Sequence, residues 1–138
     1  MDQKQAQTRI ESILQKMAEP FGEPVFDEWF LVGRSNSDWK VLHYAGPRPD
    51  EYQAEFTKDM ASLRNTLNPG RLELGDFAFS HEGVGSGFDA HMVAGPGVLV
   101  LFNNTGKSTG DITGDPRWKM AQIHFNELLE IFLVDPVV

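Results

Sequence analysis

Val25-Phe26-Asp27-Glu28-Trp29-Phe30-Leu31-Val32, followed by Ser35-Asn36-Ser37-Asp38 and then by Trp39-Lys40-Val41-Leu42-His43-Tyr44, is the stretch that decides the fold. The first run is aromatic and β-branched and has a helix breaker on either side, which is the composition of a strand. The Ser-Asn-Ser-Asp segment is turn chemistry, and the second run resumes with a loose alternation, so the two runs read as an antiparallel hairpin. Gly46-Pro47-Arg48-Pro49 closes it.

Upstream of the hairpin, Ala6, Ile10, Ile13, Leu14 and Met17 recur at helical spacing and predict a helix over about Asp2 to Ala18, ended by Pro20, Gly22 and Pro24. Downstream, Asp50 can cap a second helix to Leu67, with a one-sided stripe of Tyr52, Phe56, Met60, Leu63 and Leu67. Asn68-Pro69-Gly70 stops it. Three strands are then expected, Leu72 to Ser80, Phe88 to Val93 and Val98 to Phe102, separated by Gly83-Val84-Gly85-Ser86-Gly87 and Gly95-Pro96-Gly97. Asn103 to Gly114 is polar and rich in Gly, Thr and Asn, and reads as a surface loop. Asp115-Pro116 starts a last helix, with a capping residue followed by proline at the first helical position, and Asp135-Pro136 ends it. Its buried face would be Trp118, Ala121, Phe125, Leu128, Leu129 and Phe132.

The expected fold class is α+β: a five-stranded antiparallel sheet with helices, in the order α-β-β-α-β-β-β-α, as one domain over residues 1–138. Two strands precede the middle helix and three follow it, so the connection should bring the first and last strands side by side. The core should contain Ile10, Leu14, Phe56, Met60, Leu63, Val98, Val100, Phe125, Leu128 and Phe132, with the last helix packed on the sheet. This element order, the Gly95-Pro96-Gly97 hairpin leading into Val98-Leu99-Val100-Leu101-Phe102, and the closing amphipathic helix resemble the profilin-like arrangement of the roadblock (dynein light chain) family. The resemblance covers nearly the whole chain. It implies a non-catalytic homodimer that scaffolds or regulates a small GTPase or another signalling complex. An acidic secretion chaperone is a second expectation, although such chaperones usually place three strands before the middle helix. A small-molecule sensor with a pocket between sheet and helix is a third.

Composition narrows the classes. The chain has 138 residues, of which 41% are hydrophobic and 23% charged, which is globular and single-domain in size. It has no cysteine, so disulfides, thiolate metal sites and thiol nucleophiles are out, and a reducing, cytoplasmic setting is expected. Lys and Arg number 12 against 20 Asp and Glu, a net charge of -8 that repels phosphate backbones and anionic lipid; no nucleic acid and no membrane insertion is the reading.

The candidate chemical motifs fall short of a catalytic signature. Thr105-Gly106-Lys107-Ser108-Thr109 ends like a phosphate-binding loop, but position 101 is Leu where the first glycine belongs. Gly110, Gly114 and Pro116 follow, so no helix is expected to begin there, and no nucleotide is expected to bind. His43, His81, His91 and His124 are scattered, with Glu82 and Asp89 near two of them, and could join only in three dimensions. Asp27 and Glu28 are adjacent on a strand and point to opposite faces, so they cannot form an acid–base pair by themselves, and with Asp76 they read as belonging to the exposed face of an antiparallel sheet. Ser80 beside His81 lacks the glycine-flanked elbow of a hydrolase nucleophile. Trp29, Trp39 and Trp118 read as core, or, for the first two, as a solvent-side patch across the hairpin. No catalytic, cofactor-binding or metal residue is assigned. The expected contact surface is the strand Leu72 to Ser80, with Leu72, Leu74, Phe77 and Phe79, or the solvent side of the helix Asp50 to Leu67, or both: an edge without proline or lysine is open to a second copy.

Overall fold

The structure, a computed structural model, describes residues 1–35, 38–49, 77–80, 89–93 and 97–135. Helix α1 (Gln3–Ala18) starts at a reciprocal capping box: Asp2 Oδ1 accepts from the Gln5 N–H at 2.8 Å, and the Gln5 side chain accepts from the Asp2 N–H at 3.0 Å. A 3₁₀ turn over Glu19–Phe21 follows, and Gly22, at φ 70°, closes it in the left-handed conformation that glycine adopts without strain. Strands β1 (Glu28–Ser35), β2 (Asp38–Ala45), β3 (Phe77–Ser80), β4 (Asp89–Val93) and β5 (Gly97–Phe102) are hydrogen-bonded in the order β2-β1-β5-β4-β3, each pair antiparallel. Helices α2 (Thr109–Thr113) and α3 (Trp118–Val134) follow β5. Among the described residues no helix is long and apolar enough to cross a membrane.

Strands β1 and β5 form the centre, as their sequences require. Period-two alternation divides them between two apolar faces, and both faces are closed to water. Trp29, Leu31, Leu99 and Leu101 join Ile10, Ile13 and Met17 of α1 and Phe125, Leu128 and Phe132 of α3 in one core. Phe30, Val32, Val98, Val100 and Phe102 form a second cluster on the opposite face, with Val41 and Tyr44 against it. Each large side chain buried this way contributes about 1.5–3 kcal/mol. Of the expected core, Ile10, Phe125, Leu128 and Phe132 are buried in the first cluster, Leu14 is half-buried against it, and Val98 and Val100 belong to the second.

One irregularity tunes the hairpin. The register runs Leu31 to His43 and then Val32 to Val41, which leaves Leu42 as an extra residue on β2. This bulge lets two consecutive residues serve the helix face: Leu42 packs on the first core, and the His43 ring lies 4.9 Å from that of Trp29. Leu42 fills the space above Gly33, where an added Cβ would come within 3.0 Å of Leu42 Cδ1.

The fold class expected from the sequence is corrected. Its order, α-β-β-α-β-β-β-α, allows one helix after the last strand, whereas α2 and α3 both follow β5. The part of the sheet whose side chains are described is three-stranded, β2-β1-β5, an antiparallel unit packed in an α+β arrangement with the three α-helices found among the described residues; β4 and β3 continue it through backbone ladders. The strand expected from Leu72 is described only over Phe77–Ser80, and the helix expected from Asp50 to Leu67, with Phe56, Met60 and Leu63, lies outside the described residues. The start of the last helix is also corrected. Its N-cap is Arg117, because Asp115 turns its carboxylate onto the backbone N–H and guanidinium of Arg117, at 2.9 and 2.7 Å, instead of capping.

Candidate functional site

Two polar groupings occupy the end of the sheet where β1 begins and β5 ends. The first centres on Glu28, whose side chain is 1% exposed. It shares a face with Phe30 and Val32, so the pleat that builds the second apolar cluster also draws this carboxylate inside. The sheet-surface reading of Glu28 is therefore corrected. A buried carboxylate has to be matched by donors, and three are supplied. The Tyr44 hydroxyl donates to Oε2 at 2.6 Å, Arg48 Nε approaches the same oxygen at 3.0 Å, and Asn104 Nδ2 donates to Oε1 at 3.3 Å. Tyr44 in turn accepts the Arg48 backbone N–H at 2.9 Å. Burial, and then the hydrogen bond to the Glu28 anion, push the Tyr44 phenol up to about 12. Gly46 is required here, since a Cβ would lie 2.6 Å from the Tyr44 hydroxyl and 3.0 Å from Glu28 Cγ. Asp27, on the exposed side of the same peptide, accepts from the Asn104 N–H and Nδ2 at 3.1 and 3.0 Å. Asn104 thus joins two carboxylates that diverge along the strand.

The second grouping surrounds a cleft of about 210 Å³ between the Phe21–Val25 segment and the chain from Asn103 to Asp115. Its base holds Val25, Ile112 and Asn103, all buried. Asn103 Nδ2 donates to the Val25 carbonyl at 2.6 Å, and its oxygen accepts the Thr105 N–H at 2.9 Å. Lys107 reaches across to Glu23 at 2.9 Å, which holds the Glu23 carboxyl below the usual carboxylate range. The hydrogen bonds from Arg117 lower Asp115 to about 2, and the Arg117 guanidinium lies 4.9 Å over the Phe21 ring.

Helix α2 overturns the expectation that no helix starts after Lys107. Ser108 caps it, accepting from the Asp111 N–H at 3.1 Å while the Asp111 carboxylate accepts from the Ser108 N–H at 2.9 Å. That reciprocal bonding, which also lowers the Asp111 carboxyl, outweighs the roughly 1 kcal/mol cost of Gly110 inside a helical turn. The signal was Ser108-Thr109-Gly110-Asp111, a capping-box spacing that a glycine-counting reading passes over. The carboxylate of Asp111 occupies the turn's N-terminus, where a phosphate would have to sit.

The other candidates disperse. His43 lies on β2 and His91 on β4, with β1 and β5 between them, a backbone separation of roughly 14 Å at about 4.8 Å per strand. His81, Glu82 and Asp76 lie outside the described residues, and His124 sits on α3 with Nδ1 3.5 Å from Glu127. Among the described residues no three of His, Asp and Glu are grouped to hold a metal. Trp29 and Trp118 are buried at 4% and 5%, which corrects the solvent-patch reading of Trp29. Phe77 and Phe79 lie in β3, as does Ser80, whereas Leu72 and Leu74 lie outside the described residues. Among the described residues, the space between β1, β5 and α3 is filled by Trp29, Leu31, Leu99 and Phe125, and the cleft lies at the sheet's end. Comparison of the chain with protein-family models, with curated proteins and with solved structures gives no match.

Proposed function

We propose that the chain is a non-catalytic interaction domain of the cytoplasm that works as a homodimer joined through β3. The observation that carries this reading is the strand order: β3 ends the sheet, its Phe77–Ser80 ladder pairs with β4 on one side, and no strand lies on the other among the described residues. The segment contains neither proline nor lysine, the usual protections of an exposed edge. Antiparallel pairing of the strand with its own copy is two-fold symmetric, the commonest closed arrangement of oligomers. The absence of cysteine supports the reducing compartment. The resemblance to roadblock proteins supports a small GTPase or another signalling protein as the further partner.

Sedimentation equilibrium tests the dimer. The expected mass is twice the 15.5 kDa of the chain at micromolar concentration, falling to one chain for Phe77→Pro with an unchanged far-ultraviolet dichroism spectrum. A single-chain mass for the native protein across the concentration range refutes it.

A further inference from the structure

The cleft beside α2 has the composition of a ligand site, and nothing in the interaction reading uses it. Its base is apolar, built from Val25 and Ile112 with the half-buried Phe21 ring alongside. Glu23 stands on one wall, and Asp111 and Asp115 stand on the other, against Lys107 among the lining residues and Arg117, which holds both Asp115 oxygens and lies over the Phe21 ring. With Asp115 neutralised by Arg117 the excess is one negative charge, and Glu23, held by an exposed ion pair, is the carboxylate on which a cation can act.

Two further features sharpen this. Asn103 lines the base at 5% exposure, and of its two amide N–H groups one donates to Val25; among the described residues the other has no acceptor. A ligand oxygen can satisfy it. The Lys107–Glu23 ion pair joins the two walls, but both side chains are about half exposed, at 44% and 54%. Such a pair is weak, and a competing ammonium group can replace Lys107 on Glu23 at little cost. The volume is below the 300–1,000 Å³ or so of drug-sized pockets and suits a ligand of roughly ten heavy atoms.

We propose that this cleft binds a small primary ammonium ion with an apolar or aromatic body and one hydrogen-bond-accepting oxygen. The ammonium takes the place of Lys107 at Glu23 and lies near Asp111 and Asp115. The body covers Val25 and Ile112, and the oxygen accepts from Asn103.

Tyramine has this form and is the probe. Phenethylamine lacks the oxygen, and para-hydroxyphenylacetate carries a carboxylate in place of the ammonium. In a titration of the full chain followed by amide resonances, tyramine should shift Val25, Asn103 and Ile112 with a dissociation constant on the order of 1 mM or tighter. Phenethylamine should bind several-fold more weakly, and para-hydroxyphenylacetate should leave these resonances in place. Glu23→Gln should weaken tyramine about threefold or more. Lys107→Ala removes the internal competitor and should tighten tyramine about two- to fivefold, the range set by a surface ion pair. The tightening separates this mechanism from an anion site, which the same change would weaken. No shift at ~10 mM tyramine, equal binding of the carboxylate analogue, or weaker binding by Lys107→Ala overturns the proposal.

Discussion

Tyr44→Phe removes one oxygen and keeps the ring, so the 4.6 Å contact between the Phe30 and Tyr44 rings survives while the hydroxyl's two hydrogen bonds do not. The Arg48 N–H is exposed and finds water. Glu28, at 1% exposure, cannot: it loses its 2.6 Å donor and keeps Arg48 and the longer bond from Asn104. A hydrogen bond to a charged group contributes about 1.5–3 kcal/mol, and because two donors remain the expected loss is about 2 kcal/mol. For a chain of this length that corresponds to a fall in Tm of about 7 °C by calorimetry at neutral pH. A double-mutant cycle with Glu28→Gln isolates the pair and should show coupling above ~1 kcal/mol. The pH dependence has a definite sign. The fold raises the phenol from its ordinary value of 10 to about 12, so the neutral form is the one stabilised. The contribution is whole below pH 10 and is lost as pH rises through about 12, a loss that Tyr44→Phe should not show. A Tm within ~1 °C of the native protein, with no coupling, would refute the view that this network holds the sheet end.

Gly33→Ala should cost about 1–3 kcal/mol in urea unfolding, because the new methyl comes within 3.0 Å of Leu42, and Leu42→Ala in the same chain should return part of the loss. Asn103→Ala leaves the Val25 carbonyl and the Thr105 N–H without their partner and should destabilise by about 2–3 kcal/mol, measured the same way. Asp115 should titrate near 2 by carboxyl carbon resonance, and Arg117→Ala should move it up towards 3.8; being lowered by folding, its contribution is present above pH 4 and fades as the pH falls to about 2. Calorimetry with ATP or GTP and magnesium should register no heat, since Asp111 already fills the α2 N-terminus; binding lost in Lys107→Ala would contradict that.

Local pattern and long-range placement differ in how far they can be read from residues. The α1 stripe, the α3 stripe and the hairpin at Glu28–Ala45 follow from periodicities of 3.6 and 2, and so does the adjacency of β1 and β5 once a crossover is required. The burial of Glu28 is not legible in the sequence, because period two assigns it a face without saying that the face is dry. Its burial depends on Tyr44, 16 residues on, and on Asn104, 76 residues on, which no local window contains. The bulge at Leu42 was hidden for the opposite reason: one extra residue blurs the alternation of β2, which reads as loose when it is regular with a single insertion. The start of α2 is legible in Ser108 and Asp111, which stand three apart as a capping box requires, but Gly110 and Gly114, on either side of Asp111, carry the composition of a loop. The cleft had no sequence signature, because Phe21, Val25 and Ile112 acquire a common surface only after β5 has docked beside β1.

That docking sets a schedule for the protein as it leaves the ribosome. The central ladder joins the first strand to the last, and the Asn103–Val25 bond closes over 78 residues. At ~5–20 residues per second, β1 waits on the order of 3–13 seconds for β5 to be made. Through that interval Trp29-Phe30-Leu31-Val32 has one hairpin partner and an apolar run on both faces. Stalled chains ending before Gly97 are expected to be cut readily in this run by brief proteolysis and to bind a holdase chaperone, whereas chains carrying both β5 and α3 clear of the tunnel resist both.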